Sequence, residues 1–151
     1  MFRKSLVVMT CLFLVGCATI TVPKYIKDEN PYTEKYLADF ATTQKVVIST
    51  LEKLGWKIED TADPMVYERG QKYASVEDKQ VLLFTEVKQT PFFIGTKYKR
   101  INVYLRALDA ATTEVELRFI VINQFPLKSF YGYKKSGYAQ KIFKMITKKL
   151  G

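Results

Sequence analysis

Residues 98–123 read YKRINVYLRALDAATTEVELRFIVIN, and their alternation decides the fold class. Ile101, Val103, Leu105 and Ala107 take every second position, with Arg100, Asn102, Tyr104 and Arg106 between them. Successive strand side chains point to opposite faces, so this pattern predicts a strand with one apolar face. After DAATT the pattern returns in TEVELRFIVIN: Val115, Leu117, Phe119 and Val121 face one way, and Glu114, Glu116 and Arg118 the other. Two such strands joined by a short polar loop predict an antiparallel hairpin. Registers that keep both apolar faces together place Arg106 opposite Glu114 or Glu116, a favourable cross-strand pair.

Working outward, WKIED (56–60) predicts a short strand, ADP (62–64) a turn and MVYERG (65–70) a returning strand. QVLLFTEVKQ (80–89) predicts one apolar strand of about nine residues. TTQKVVISTLEKLGW (42–56) is helical: Val47, Ile48, Leu51 and Leu54 recur at three- and four-residue steps, Thr42 or Thr43 supplies the cap and Gly55 the stop. TEKYLADFA (33–41) adds a turn or two, with Tyr36, Leu37 and Phe40 on one face. SGYAQKIFKMITKKL (136–150) predicts a second helix, with Ala139, Ile142, Phe143, Ile146 and Leu150 inside and Lys141, Lys144 and Lys148 outside. The expectation is an α+β domain over 33–151, two-layered, with an antiparallel sheet of about five strands and two helices packed on one face.

The first residues follow a different logic. Met1-Phe2-Arg3-Lys4 is a basic head, and Ser5 to Leu14 an apolar run of about ten residues, too short for the ~20 that span a bilayer. Residues 1–16 therefore read as a signal peptide. Leu14-Val15-Gly16-Cys17 resembles the lipobox of bacterial lipoproteins, in which the chain is cut before the cysteine and the thiol is acylated. The resemblance implies lipid on Cys17 and a chain held in the bacterial cell envelope. With Ala18 and not aspartate next, it implies the outer membrane, facing the periplasm. Residues 17–32, with two prolines, mixed charge and no sustained period, read as a lipidated tether, the alternative being that TITV (19–22) adds an edge strand to the sheet. STLEKLGWKIED (49–60) and SGYAQKIFKMITKKL, in their order around a meander, resemble small envelope lipoproteins and, more loosely, the helix-grip modules of the accessory lipoproteins of the β-barrel assembly machinery. No catalytic residue is implied by either likeness.

Composition excludes much chemistry. The chain has no histidine and two cysteines, and cleavage before Cys17 removes Cys11 and leaves the other acylated. Histidine-based catalysis, a disulfide framework and thiol metal sites are thereby excluded. Glu59, Asp60 and Asp63 cluster in EDTAD, but on one strand end and its turn, where nothing provides the opposed carboxylates of a cleft. We expect no enzyme, cofactor or metal.

Charge is more informative. Removal of Arg3 and Lys4 leaves 22 basic and 15 acidic residues, about +7. No acid follows Glu116, and none lies between Glu86 and Asp109. Basic and aromatic residues mix in KSFYGYKKSGY (128–138), but export argues against nucleic acid and for the anions of the envelope: lipid headgroups, lipopolysaccharide phosphates or an acidic protein. In QTPFFIGTKYKR (89–100), turn chemistry exposes Phe92, Phe93 and Ile94 above Lys97, Lys99 and Arg100. Two readings follow: insertion into an interface or partner groove, or folding back over the sheet end. These residues, with Lys134 and Lys135, are the candidate contacts of a non-enzymatic adaptor or accessory subunit. The alternative is a carrier holding a lipid or other amphipathic ligand between sheet and helices, told apart by an open apolar cavity with lysines at its mouth.

Overall fold

The computed structural model describes residues 20–28, 30–68, 79–125, 128–132 and 136–151. Cys17, Lys134 and Lys135 lie outside the described residues. In chain order the elements are β1 (Tyr32–Tyr36), α1 (Phe40–Lys53), β2 (Ile58–Ala62), a 3-10 turn (Pro64–Val66), β3 (Gln80–Thr85), β4 (Lys88–Phe92), β5 (Gly95–Ala107), β6 (Thr113–Phe125), β7 (Lys128–Gly132) and α2 (Ser136–Leu150). The fold is α+β, with one antiparallel sheet of seven strands among the described residues.

The β5–β6 hairpin is the spine. It pairs without a break from Thr96↔Gln124 to Ala107↔Thr113, and Arg106 stands opposite Glu114, one of the two partners the alternation allows, the two side chains forming an ion pair. Each long strand carries two shorter ones in succession along its free edge. β3 pairs with Asn102 to Arg106 of β5 and β4 with Gly95 to Lys99; β1 pairs with Thr113 to Leu117 of β6 and β7 with Val121 to Phe125. One end of the spine thus belongs to the body, β1-β6-β5-β3-β2, and the other to a four-stranded arm, β4-β5-β6-β7.

The extra strands correct the expected count of about five. β1, β4 and β7 lack apolar alternation; they form because the edges of the two long strands present unpaired N–H and C=O groups that must find partners. Residues 80–89 divide at Glu86 and Val87 into β3 and the start of β4, and 33–36 pair as a strand where a helical turn was expected, leaving Leu37 in solvent. The returning strand over 65–70 is absent at its described positions. Pro64 has no N–H to give a ladder, and the Asp63 carboxylate accepts from the Met65 N–H, so the chain coils into the 3-10 turn and β2 pairs with β3 instead.

Helix α1 begins before the threonines. Asp39 is its cap, accepting from the Thr42 N–H at 3.0 Å. Gly55, at φ 78°, ends it with the paired bonds Trp56 N–H to Leu51 C=O and Gly55 N–H to Glu52 C=O. This stop delivers Trp56 to the sheet. Val47 and Leu51 of α1, Ala139, Ile142, Phe143 and Ile146 of α2, and Ile101, Val103, Leu105, Val115, Leu117 and Phe119 of the spine form one buried apolar cluster.

The sheet's other face is not the open surface its charges suggest. Glu114, Glu116, Arg118, Arg100 and Asn102 are all buried. Residues of the expected tether cover part of it: Asn102 Nδ2 donates to the Lys24 carbonyl at 3.0 Å, Lys24 Nζ pairs with Asp60, and Tyr25 packs on Leu82, Phe84 and Tyr104. Arg118 bonds Glu116 at 2.8 Å, the Tyr25 hydroxyl at 2.6 Å and Glu68, which the 3-10 turn delivers from the other side. Each charge has a partner, which is what burial demands.

Candidate functional site

The arm gathers most of the exposed large apolar side chains. Of the eight on the described surface, Phe92, Phe93, Ile94, Phe130 and Tyr131 sit here, and Phe93 is fully exposed at 102%. Phe93 and Ile94 form the two-residue turn between β4 and β5, closed by the pair Phe92↔Gly95. Gly95 is required: a Cβ there would stand 1.9 Å from the Gln124 carbonyl oxygen. The strands therefore approach closely at the tip and project the turn outward.

Register assigns the remaining arm residues to faces. Phe92, Lys97, Lys99 and Lys88 share the face of Ile101 and Val103, because Lys88↔Lys99 and Thr90↔Lys97 are direct partners and residues two apart point the same way. Phe125 and Phe130 join them through Asn123↔Phe130 and Lys97↔Asn123. Phe125 bridges the tip, with Phe92 at 5.3 Å and Phe130 at 5.6 Å, both edge-on. Lys128 Nζ lies 5.0 Å from the Phe130 ring centre. Residues 88–100 and 120–132 contain no acid and carry Lys88, Lys97, Lys99, Arg100 and Lys128.

The sequence candidates thus divide. Phe93 and Ile94 stand exposed at the tip, whereas Phe92, 38% exposed, folds back against Phe125, so the two readings divide between the phenylalanines. Lys97 and Lys99 flank them on one face, half-buried. Arg100 does not belong: it is on the opposite face, 7% exposed, bonded to the Thr85 carbonyl at 3.1 Å and to Glu59 at 2.5 Å. One position in a strand separates it from Lys99, and that position reverses its direction. Phe125, Phe130 and Tyr131 were missed as contacts; the signal lay in KSFYG, whose exposure depends on β7 being an edge strand.

The acids of EDTAD are all occupied structurally. Glu59 pairs with Arg100, Asp60 with Lys24, and Asp63 caps the 3-10 turn. Lys24 pulls the Asp60 carboxyl below its ordinary value, the opposite of what a general acid needs. Among the described residues no three His, Cys, Asp or Glu converge as metal ligands, and no helix is long and apolar enough to cross a membrane.

Where the arm meets the body, the same face carries a recess of about 310 Å³, lined by Trp56, Lys88, Lys99, Phe119, Val121 and Tyr138 among others. Trp56 Nε1 donates to the Tyr138 hydroxyl at 2.8 Å, and Lys88 Nζ sits 4.2 Å from the Trp56 ring centre. Among known proteins, no family model matches the chain, and no curated protein does.

Proposed function

We propose that this chain is a lipid-anchored protein of the bacterial cell envelope, a non-enzymatic accessory subunit whose arm makes a second contact with an anionic surface. The observation that carries the reading is the arm tip: Phe93 and Ile94 stand in solvent above Lys97, Lys99 and Lys128, and no acid interrupts them. Apolar side chains over cations suit the headgroup boundary of an anionic membrane. The lipid on Cys17, after cleavage of residues 1–16, is the first anchor, and Ala18 favours the outer membrane.

Chain direction supports both anchors entering one leaflet. Pro23 lies against Arg100 at the arm's base, and Lys24 and Tyr25 run from there toward Asn102 and Tyr104 in the body. The chain therefore arrives from the arm's side. Cys17 is six residues before Pro23, a reach of at most about 21 Å, against about 17 Å along β5 from Arg100 to the tip. The placing of both helices on one face of the sheet belongs to the same reading, and rests on the single cluster that α1, α2 and the spine share. It leaves the arm, beyond the helices, free to reach a surface.

The test is binding of the chain from residue 17 onward, carrying Cys17→Ser, to vesicles of anionic and of zwitterionic lipid. Anionic vesicles should bind, and more weakly as salt rises. Phe93→Ser with Ile94→Ser removes up to about 1.5–3 kcal/mol per side chain and should lower affinity with the salt slope unchanged. Lys97→Glu with Lys99→Glu should lower affinity and flatten the slope. Vesicle binding indifferent to both pairs, in folded protein, rejects the membrane contact, and recovery of a crosslinked protein through the tip would replace it with a protein partner.

A further inference from the structure

The recess at the arm's base has features that neither packing nor tip contact requires. Lys88 and Lys99 are direct cross-strand partners on one face. Like charges directly opposite each other destabilise a sheet, and among the described residues no acidic side chain lines the recess to offset them. Lys88 lies over Trp56, so one of the two cations already borders an aromatic wall. Tyr138 accepts from Trp56, and among the described residues no acceptor takes its own hydroxyl hydrogen. Two cations and a free O–H thus converge on an opening whose floor is apolar: Phe119 and Val121 are sheet residues on the apolar face, with Ile101 beside them. The volume falls at the lower end of the roughly 300–1,000 Å³ of small-molecule sites.

The geometry points to a binding site for a single-chain anionic amphiphile, a fatty acid or an alkyl phosphate. Its headgroup meets Lys88, Lys99 and the Tyr138 hydroxyl, and its chain lies on Phe119, Val121 and the Trp56 ring. Charge complementarity selects the anion, and the apolar floor requires a chain behind it. Neither part alone accounts for both walls. The site shares Lys99 with the proposed membrane contact but excludes the turn residues Phe93 and Ile94, so variants at the turn and at Lys88 tell the two apart.

Trp56 is the only tryptophan, so its emission reports this site alone. The chain from residue 17 onward with Cys17→Ser, which retains every described residue, would be titrated with decanoate, decyl phosphate, decanol and inorganic phosphate below micelle-forming concentrations, by Trp56 emission and by calorimetry. Saturable one-to-one binding of decanoate or decyl phosphate is expected, at least about tenfold tighter than decanol or inorganic phosphate. Which of the two anions binds tighter separates a carboxylate from a phosphate source. Lys88→Gln with Lys99→Gln should weaken binding about tenfold or more. Val121→Phe should weaken it by filling the floor, and Thr90→Phe, on the rim, serves if Val121→Phe does not fold. Phe93→Ser with Ile94→Ser should change nothing here. Inorganic phosphate binding as tightly as decyl phosphate would leave only a headgroup site and overturn the proposal; so would the absence of saturable heat and emission change, or binding indifferent to the lysine pair and to the filling variants.

Discussion

Arg118 shows what one side chain can hold together. It is 2% exposed, yet carries a full charge, offset by Glu68 and Glu116 and bordered by the Tyr25 and Tyr104 rings. Burial pushes the Glu116 carboxyl above its ordinary value even with Arg118 pulling it down. Arg118→Leu would strand two buried carboxylates and should cost about 3–5 kcal/mol in urea unfolding. Replacing all three by leucine should recover most of that loss, because no charge then lacks a partner. The sign with pH follows from the raised value: ionised Glu116 burdens the folded state, so the Arg118→Leu deficit should shrink as acid protonates it. The sequence placed Arg118 on the polar face correctly, but nothing local revealed that Tyr25 and Glu68 would close over it.

At the scale of the element, helix α1 starts at Asp39 because a carboxylate outcompetes a threonine hydroxyl for the free N–H groups of the first turn. The Thr42 hydroxyl and backbone N–H hold the Asp39 carboxyl below its ordinary value of 3.8. A depressed value means the cap stabilises above the ordinary carboxylate range and is lost as pH falls through the lower folded value. Asp39→Ala should therefore lower the melting temperature at neutral pH, and the difference from the parent chain should narrow once the pH drops below 3.8. The helix-end glycine and both apolar stripes were readable because they depend on sequence neighbours three and four apart. The arm was not readable as an element. β4 and β7 carry no pattern of their own and exist only as partners for the far ends of β5 and β6.

For the whole molecule, the segment read as tether is partly structure. Trimming the chain to begin at residue 30 keeps all of β1 but removes the Tyr25 ring and the carbonyls that serve Arg100 and Asn102. Relative to the chain beginning at residue 17 with Cys17→Ser, we expect a loss of about 2–4 kcal/mol, from one buried ring and hydrogen bonds of ~1 kcal/mol each. Equal urea midpoints would mean that residues 20–28 merely lie on the sheet. If the loss is found, the length left for the proposed tether shrinks correspondingly, and under the proposed lipid anchor at Cys17 the arm and the lipid would meet one surface.

The sequence by itself determined the spine and its apolar face, because strict alternation in two adjacent strands admits one choice of buried face, and Ile101, Val103, Leu105, Val115, Leu117 and Phe119 are all interior; it left open whether Glu114 or Glu116 stands opposite Arg106, and the tertiary pairing selects Glu114. It also determined the turn position of Phe93, since a proline and a glycine bracket it. Tertiary structure alone decided the rest. Seven strands in place of about five, the burial of Arg100 and Arg118 under residues distant in the chain, and the recess beneath Trp56 all arise from pairings and contacts across long separations. Local pattern carries no record of such contacts, because each depends on which edge or face the spine leaves open.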